Sequence, residues 1–78
     1  MKQRTFESYM GRVKFLASAD YAAGYQRGLR RHFHGESFGT AAEHEHLLAL
    51  EHDEIRAELG RGYRDGFAGI EPAVEVQR

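Results

Sequence analysis

A six-residue pattern, Gly-Tyr-x-x-Gly-apolar, occurs twice in this chain, at residues 24–29 and 62–67. Glycines at positions i and i+4 lie on one face of an α-helix and, lacking a Cβ atom, let another backbone come close. Each costs about 1 kcal/mol of helix stability relative to alanine. Four such glycines therefore predict that two helices cross at a contact formed by Gly24, Tyr25, Gly28, Gly62, Tyr63 and Gly66.

Helical spacing of apolar residues places two helices in the first half of the chain. Thr5 is the expected cap of a helix over residues 6–17, and Asp20 that of a second helix over residues 21–33. Residues 34–39, rich in glycine and polar side chains, indicate a loop.

A capping box marks the start of the next helix. Thr40 and Glu43 have the spacing at which each side chain satisfies a free backbone amide of the other, so a helix should begin at Ala41. The pattern then either continues unbroken to about residue 68 or stops near residue 52, with Asp53 capping a further helix. In either case Ile55, Leu59, Tyr63 and Phe67 form an apolar ridge on the last helix.

These elements define an all-α fold, a small bundle of three to four helices. We expect a single domain over residues 1–69 and a flexible C-terminal tail over residues 70–78. A chain of 78 residues buries a modest share of its surface, so its stability alone should be marginal, and a homodimer would compensate.

Composition excludes several classes of protein. The chain has no cysteine, which rules out disulfides and thiolate metal sites. We find no apolar leader, no stretch of the roughly 18 apolar residues that a membrane span needs, no phosphate loop and no nucleophile motif. We therefore expect a soluble cytoplasmic protein that has no cofactor, does not bind a membrane and is not an enzyme.

The net charge of −1 conceals two oppositely charged segments. Residues 1–35 carry seven basic and two acidic side chains, whereas residues 36–59 carry seven acidic and one basic. Either the two segments neutralise each other in the folded domain, or one remains exposed and binds a partner. The candidate basic face comprises Arg27, Arg30, Arg31, Arg61 and Arg64, and the candidate acidic face Glu43, Glu45, Glu51, Asp53, Glu54 and Glu58.

Five histidines raise the question of a metal site. His44 and His46 point about 200° apart on one helix, and His44 and His52 lie roughly 12 Å apart, so neither pair can share an ion. Glu43 and His46 match the Glu-x-x-His unit of di-iron bundles, but that site needs a second unit, which the chain lacks. We expect no metal, and a histidine-carboxylate metal protein remains an alternative.

Residues 62–69, Gly-Tyr-Arg-Asp-Gly-Phe-Ala-Gly, resemble the GYxxGxAG stretch of ribosome modulation factors, and residues 24–28 resemble the same unit. These factors are small bacterial helical-hairpin proteins that hibernate ribosomes. The resemblance implies a packed helix pair and, as one hypothesis, an RNA or ribosome binder that uses the arginines of the basic face.

The size, the charge pattern and the lack of enzymatic motifs also resemble those of small accessory proteins of phages and mobile elements, including anti-CRISPR inhibitors. The favoured hypothesis is a regulator or inhibitor that docks on a larger nucleic-acid-handling protein or ribonucleoprotein complex. Its acidic face would compete for a basic groove on that partner. RNA is the alternative partner.

Overall fold

The computed structural model describes residues 1–72, which form four α-helices and, within that range, no strand. The helices are α1 (Gln3–Leu16), α2 (Ala19–His34), α3 (Ala41–Ala49) and α4 (Ala57–Phe67), and single 3-10 turns lie at Gly35–Ser37 and Leu50–His52. The predicted all-α fold of three to four helices is confirmed. Residues 41–68, which the sequence allowed to be one helix or two, form α3 and α4.

Helices α2 and α4 touch backbone to backbone at the first glycine of each repeat. A Cβ atom built on Gly24 would lie 2.9 Å from the backbone nitrogen of Tyr63, and one built on Gly62 would lie 2.9 Å from that of Tyr25. Both positions are closer than a real side chain tolerates, so only glycine fits. The predicted crossing of the two repeats is confirmed.

The second glycine of each repeat makes the same contact one turn later. A Cβ atom on Gly28 would lie 2.7 Å from the nitrogen of Phe67, and one on Gly66 would lie 2.7 Å from that of Leu29. Because these contacts advance along both helices in the same direction, α2 and α4 run parallel. Each of these residues in α2 has a counterpart 38 positions later in α4, and the two counterparts make the same contact with the opposite helix. An approximate two-fold axis therefore relates the two helices.

Each helix of the parallel pair builds a small core with the helix that precedes it. Tyr25 on α2 lies in a cluster with Val13 of α1, and Tyr63 on α4 lies in a second cluster with Leu47 and Leu50. All five side chains are buried. The two repeats therefore hold the cores of two α-helical hairpins together.

The tyrosine hydroxyls of the repeats are partnered although the rings are buried. Tyr25 donates to the carbonyl oxygen of Ile70 at 2.6 Å, and the Tyr63 hydroxyl lies 2.6 Å from Nδ1 of His44. Burial raises the pKa of the Tyr25 hydroxyl above its ordinary value of 10.0, and burial also raises the pKa of Tyr63. Both side chains are thus held in their neutral form.

These raised pKa values predict a loss of stability in alkali. The unfolded chain releases the two phenol protons near pH 10, whereas the folded chain retains them. The contribution of these two groups to the free energy of unfolding should therefore be constant below about pH 10 and fall above it. Urea titrations between pH 8 and 11 measure this. The Tyr25→Phe/Tyr63→Phe double variant should decline less steeply, and an equal decline in both proteins would contradict the assignment.

Of the three predicted N-cap residues, one caps its helix in the structure and two do not. The Thr40 hydroxyl accepts from the amide of Glu43, and α3 begins at residue 41 as predicted. The cap of α2 is Ser18, which accepts from Tyr21, and Asp20 lies in the first turn, where its charge favours the helix N-terminus. Thr5 lies inside α1, whose first amides have no side-chain cap, so its predicted capping role is wrong.

The α3–α4 connection corrects the predicted ridge of the last helix. Asp53 accepts from the amides of Ile55 and Arg56 at 2.8 Å, so it caps a turn of residues 53–56 rather than α4 itself, which begins at Ala57. Ile55 therefore lies outside the helix and 87% of its surface is exposed. Its predicted place on the apolar ridge of the last helix is wrong, because residues 53–56 form a separate turn before α4 begins.

Residues 70–72 continue from α4 against the domain. Helix α4 ends at Phe67, close to the predicted end at about residue 68. Gly69 follows with a φ of 74°, which suits glycine, and the carbonyl oxygen of Ile70 accepts from Tyr25. Glu71 pairs with Arg12 of α1 at 3.0 Å, and Pro72 is buried. The predicted flexible tail starts at residue 70, but these three residues contact the domain, and the rest of the tail, residues 73–78, lies outside the described residues.

Candidate functional site

The predicted basic face consists largely of arginines that already have partners. Arg27 pairs with Glu43 and lies over the ring of Phe38, with 5.4 Å between the guanidinium carbon and the ring centroid. Arg61 pairs with a carboxylate of its own helix, and Arg64 bonds to Glu51 at 2.6 Å. These three charges are therefore neutralised within the domain.

The remaining two arginines of that face differ in environment. Arg31 is buried, and its Nη1 donates to the carbonyl oxygens of Phe38 and Thr40 at 2.9 and 3.4 Å. These hydrogen bonds hold the loop between α2 and α3 against the end of α2. Arg30 is half-buried and forms no ion pair within residues 1–72. The five arginines therefore do not present five free charges to a partner.

The predicted acidic face divides into paired and unpaired carboxylates. Glu43, Glu51 and Glu58 are the partners of the arginines described above. In contrast, Glu45, Asp53 and Glu54 are exposed and form no ion pair in the described part of the chain. The exposed negative charge of this face is thus carried by these three side chains.

The turn of residues 53–56 combines this charge with an apolar side chain. The backbone amides of Arg56 and Ile55, which donate to Asp53, lower the pKa of its carboxyl and keep it ionised. Glu54 and Ile55 follow directly, and both are exposed. The turn therefore exposes an isoleucine that directly follows two carboxylates and precedes Arg56, which is exposed as well.

A second apolar side chain is exposed at the same end of the molecule. Phe15, near the end of α1, exposes 86% of its surface. Because α2 and α4 are parallel, the turns that precede them lie side by side, as a 3.4 Å hydrogen bond from Ser18 to Glu58 shows. Phe15 does not share the helical spacing of the other apolar residues of α1, which is consistent with its exposure, whereas Ile55 was wrongly placed on the apolar ridge.

Two of the five histidine side chains make hydrogen bonds within residues 1–72. His32 Nδ1 lies 2.9 Å from the carbonyl oxygen of Phe67, and His44 contacts Tyr63 as described. The Glu43 carboxylate of the predicted Glu-x-x-His unit pairs with Arg27. Within residues 1–72, no group of three or more histidine, aspartate or glutamate side chains could hold a metal ion.

The fold and these surfaces define an all-α protein built from two helical hairpins that meet at a parallel, glycine-lined helix pair. No helix within the described residues is long and apolar enough to span a membrane. Comparison of the chain with protein-family models, with curated proteins and with solved structures finds no significant match.

Proposed function

We propose that this chain is a small non-enzymatic binding protein, a regulator or inhibitor that docks on a larger nucleic-acid-handling protein complex. The role resembles that of accessory proteins of phages and mobile elements, such as anti-CRISPR inhibitors. The turn of residues 53–56 is its contact element, and the partner surface is an apolar pocket with a basic border. Such a surface normally receives nucleic acid, so occupation by this turn would block it.

The observation that carries the proposal is the exposure of Ile55 directly after the carboxylates of Asp53 and Glu54. Water contacts 87% of this side chain, an arrangement that the domain does not need for its own core. Burying it in a partner would remove apolar surface from water, while Asp53 and Glu54 would steer the approach to a positive surface. A few apolar anchors commonly supply most of the affinity of such interfaces.

An RNA or ribosome binder of the ribosome-modulation type is the alternative proposal. It requires free cations, because phosphate contacts by lysine and arginine dominate such affinity. Ion pairs occupy Arg27, Arg61 and Arg64, and Arg31 is buried. We therefore favour the protein partner, and a histidine-carboxylate metal protein is the third alternative.

Affinity purification of the tagged chain from its host, with and without nuclease, tests the proposal. We expect a defined partner that resists nuclease and that Ile55→Ser recovers at least about tenfold less well. Ile70→Ser is the matched control, because Ile70 is also exposed but follows α4 at the opposite end of the helix pair. Its recovery should equal that of the original chain.

Two results would contradict the docking proposal. Equal recovery by Ile55→Ser and Ile70→Ser would show that the turn is not the contact. Ribosomal proteins that disappear on nuclease treatment would instead support the RNA binder. Circular dichroism of both variants should be unchanged, because substitutions of exposed side chains shift stability by about 0.5 kcal/mol or less.

A further inference from the structure

A cleft of about 420 Å³ opens at the end of the molecule opposite the turn of residues 53–56. It lies where the C-terminal ends of α2 and α4 meet the first turn of α3. Its lining consists of Arg31, His32, Gly35, Glu36, His44 and Phe67. The volume is at the lower end of the range of about 300–1,000 Å³ typical of small-molecule sites.

The central group of this cleft is a buried cation that forms no ion pair within residues 1–72. Arg31 exposes 9% of its surface, and within residues 1–72 no carboxylate oxygen lies within 4.0 Å of its guanidinium. Glu43, on the adjacent first turn of α3, pairs with Arg27 instead. A buried charge is costly unless an opposite charge compensates it.

The hydrogen-bond donors of Arg31 are only partly satisfied. Nη1 donates to the carbonyl oxygens of Phe38 and Thr40. In the described part of the chain, Nε and Nη2 have no protein acceptor, which leaves three N–H groups of a charged fork without a partner. This donor geometry matches an oxyanion, to which arginine binds with two parallel hydrogen bonds.

Two imidazoles border the same cleft in fixed orientations. A carbonyl oxygen can only accept, so His32 Nδ1 must carry the hydrogen that it shares with Phe67. His44 is held through Nδ1 by the Tyr63 hydroxyl. Neither Nε2 makes a hydrogen bond to the described chain. Glu36 is the opposing charge at this border, and it is exposed.

We propose that this cleft binds a phosphate-class oxyanion, either inorganic phosphate or the phosphate group of a small ester. Arg31 provides the charge and the donor fork. The imidazoles of His32 and His44 flank the site, and the partly exposed ring of Phe67 offers an apolar wall to the body of an ester. The proposal does not depend on the docking function, because the two surfaces occupy opposite ends of the molecule.

Titration of the ¹⁵N-labelled protein with inorganic phosphate and with adenosine monophosphate, at constant ionic strength, tests this site by NMR. We expect saturable shifts of the Gly35 and Glu36 amides and of Arg31 Nε–H, and none with uncharged adenosine. Tighter binding of the nucleotide would identify the ester as the ligand, and equal binding would identify the shared oxyanion. Shifts that do not saturate, or that spread over the whole surface, would overturn the proposal.

A variant that removes one negative charge from the border of the cleft gives a stricter test and does not alter the core. Glu36→Gln removes the one carboxylate that borders the cleft, so phosphate should bind about two- to fivefold more tightly. Glu54→Gln makes the same change of net charge in the turn of residues 53–56 and should leave the affinity within about twofold. Equal effects of both variants would show a general charge response and would contradict a specific site.

Arg31→Lys provides a second, independent variant. Lysine keeps the charge but loses the planar fork, so phosphate affinity should fall about tenfold or more. The shifts of Gly35 and Glu36 report whether the variant remains folded before phosphate is added. A folded Arg31→Lys protein with unchanged affinity would overturn the role of the guanidinium.

Discussion

Replacing Gly24 with alanine should lower the free energy of unfolding by about 2–4 kcal/mol, although alanine is the better helix former by about 1 kcal/mol. The added methyl group would overlap the carbonyl oxygen of Leu59 and lie 2.9 Å from the backbone nitrogen of Tyr63. Backbone atoms cannot rotate away as a side chain can. Relief therefore requires α2 and α4 to separate, which loosens both cores.

Gly11→Ala is the control for this experiment. Gly11 lies inside α1 with no heavy atom of another part of the chain within 4 Å of the Cβ position, so alanine should raise the free energy of unfolding by about 0.5–1 kcal/mol. Urea denaturation followed by circular dichroism measures both variants. Native stability of Gly24→Ala, or equal effects at the two glycines, would contradict a backbone contact at residue 24.

A leucine at Gly24 extends the same argument. A domain of this length has a stability of about 4–12 kcal/mol, and four carbon atoms at a backbone contact should remove most of it. We expect Gly24→Leu to be largely unfolded at room temperature. Gly62→Leu should behave alike, because the two-fold relation gives both glycines the same contact.

The helix crossing could be predicted from the repeat, but its direction could not. Two glycines spaced by four residues specify which helix face accepts a neighbour, and this holds for parallel and antiparallel pairs alike. The direction is set by the connection, since α3 carries the chain back before α4 begins. Residues 38 positions apart in α2 and α4 are then related by an approximate two-fold axis, which the contacts show and the sequence does not.

Local sequence motifs predicted some helix boundaries correctly and others incorrectly. Thr40 was identifiable because Glu43 completes its motif. Ser18 and Asp20 are both good caps two residues apart, and neither has such a companion, so the choice between them depends on the packing of α2. Ile55 was misplaced because i+4 spacing persists across a turn that interrupts the helix.

The candidate binding surfaces were the least predictable part. Charge along the sequence identifies arginines but not their distant partners, such as Glu43 for Arg27 or Glu51 for Arg64. Mutual neutralisation of the two segments, one of the two alternatives, holds for Arg27 and Glu43, whereas Arg64 lies outside both segments. The cleft at Arg31 is assembled from residues 31–67, and no short motif contains it.

Tyr25→Ala should be the second severe change, lowering the free energy of unfolding by about 3–5 kcal/mol. The Tyr25 ring is fully buried against Val13 and Leu29, so truncation leaves a cavity in the core shared by α1 and α2. The same backbone forms the contact with Gly62 and Gly66, and a collapse around the cavity would disturb it. Urea denaturation again measures the loss.

Tyr25→Phe separates the ring from its hydroxyl. This variant keeps the packing and loses only the bond to the carbonyl oxygen of Ile70, a half-exposed residue whose carbonyl can turn to water, so it should cost about 1 kcal/mol. A cost of Tyr25→Phe close to that of Tyr25→Ala would mean that the hydroxyl, and not the buried ring, accounts for tyrosine in the repeat. A large difference would assign the tyrosine to packing, which leaves the exposed turn and the cleft as the surfaces available for binding.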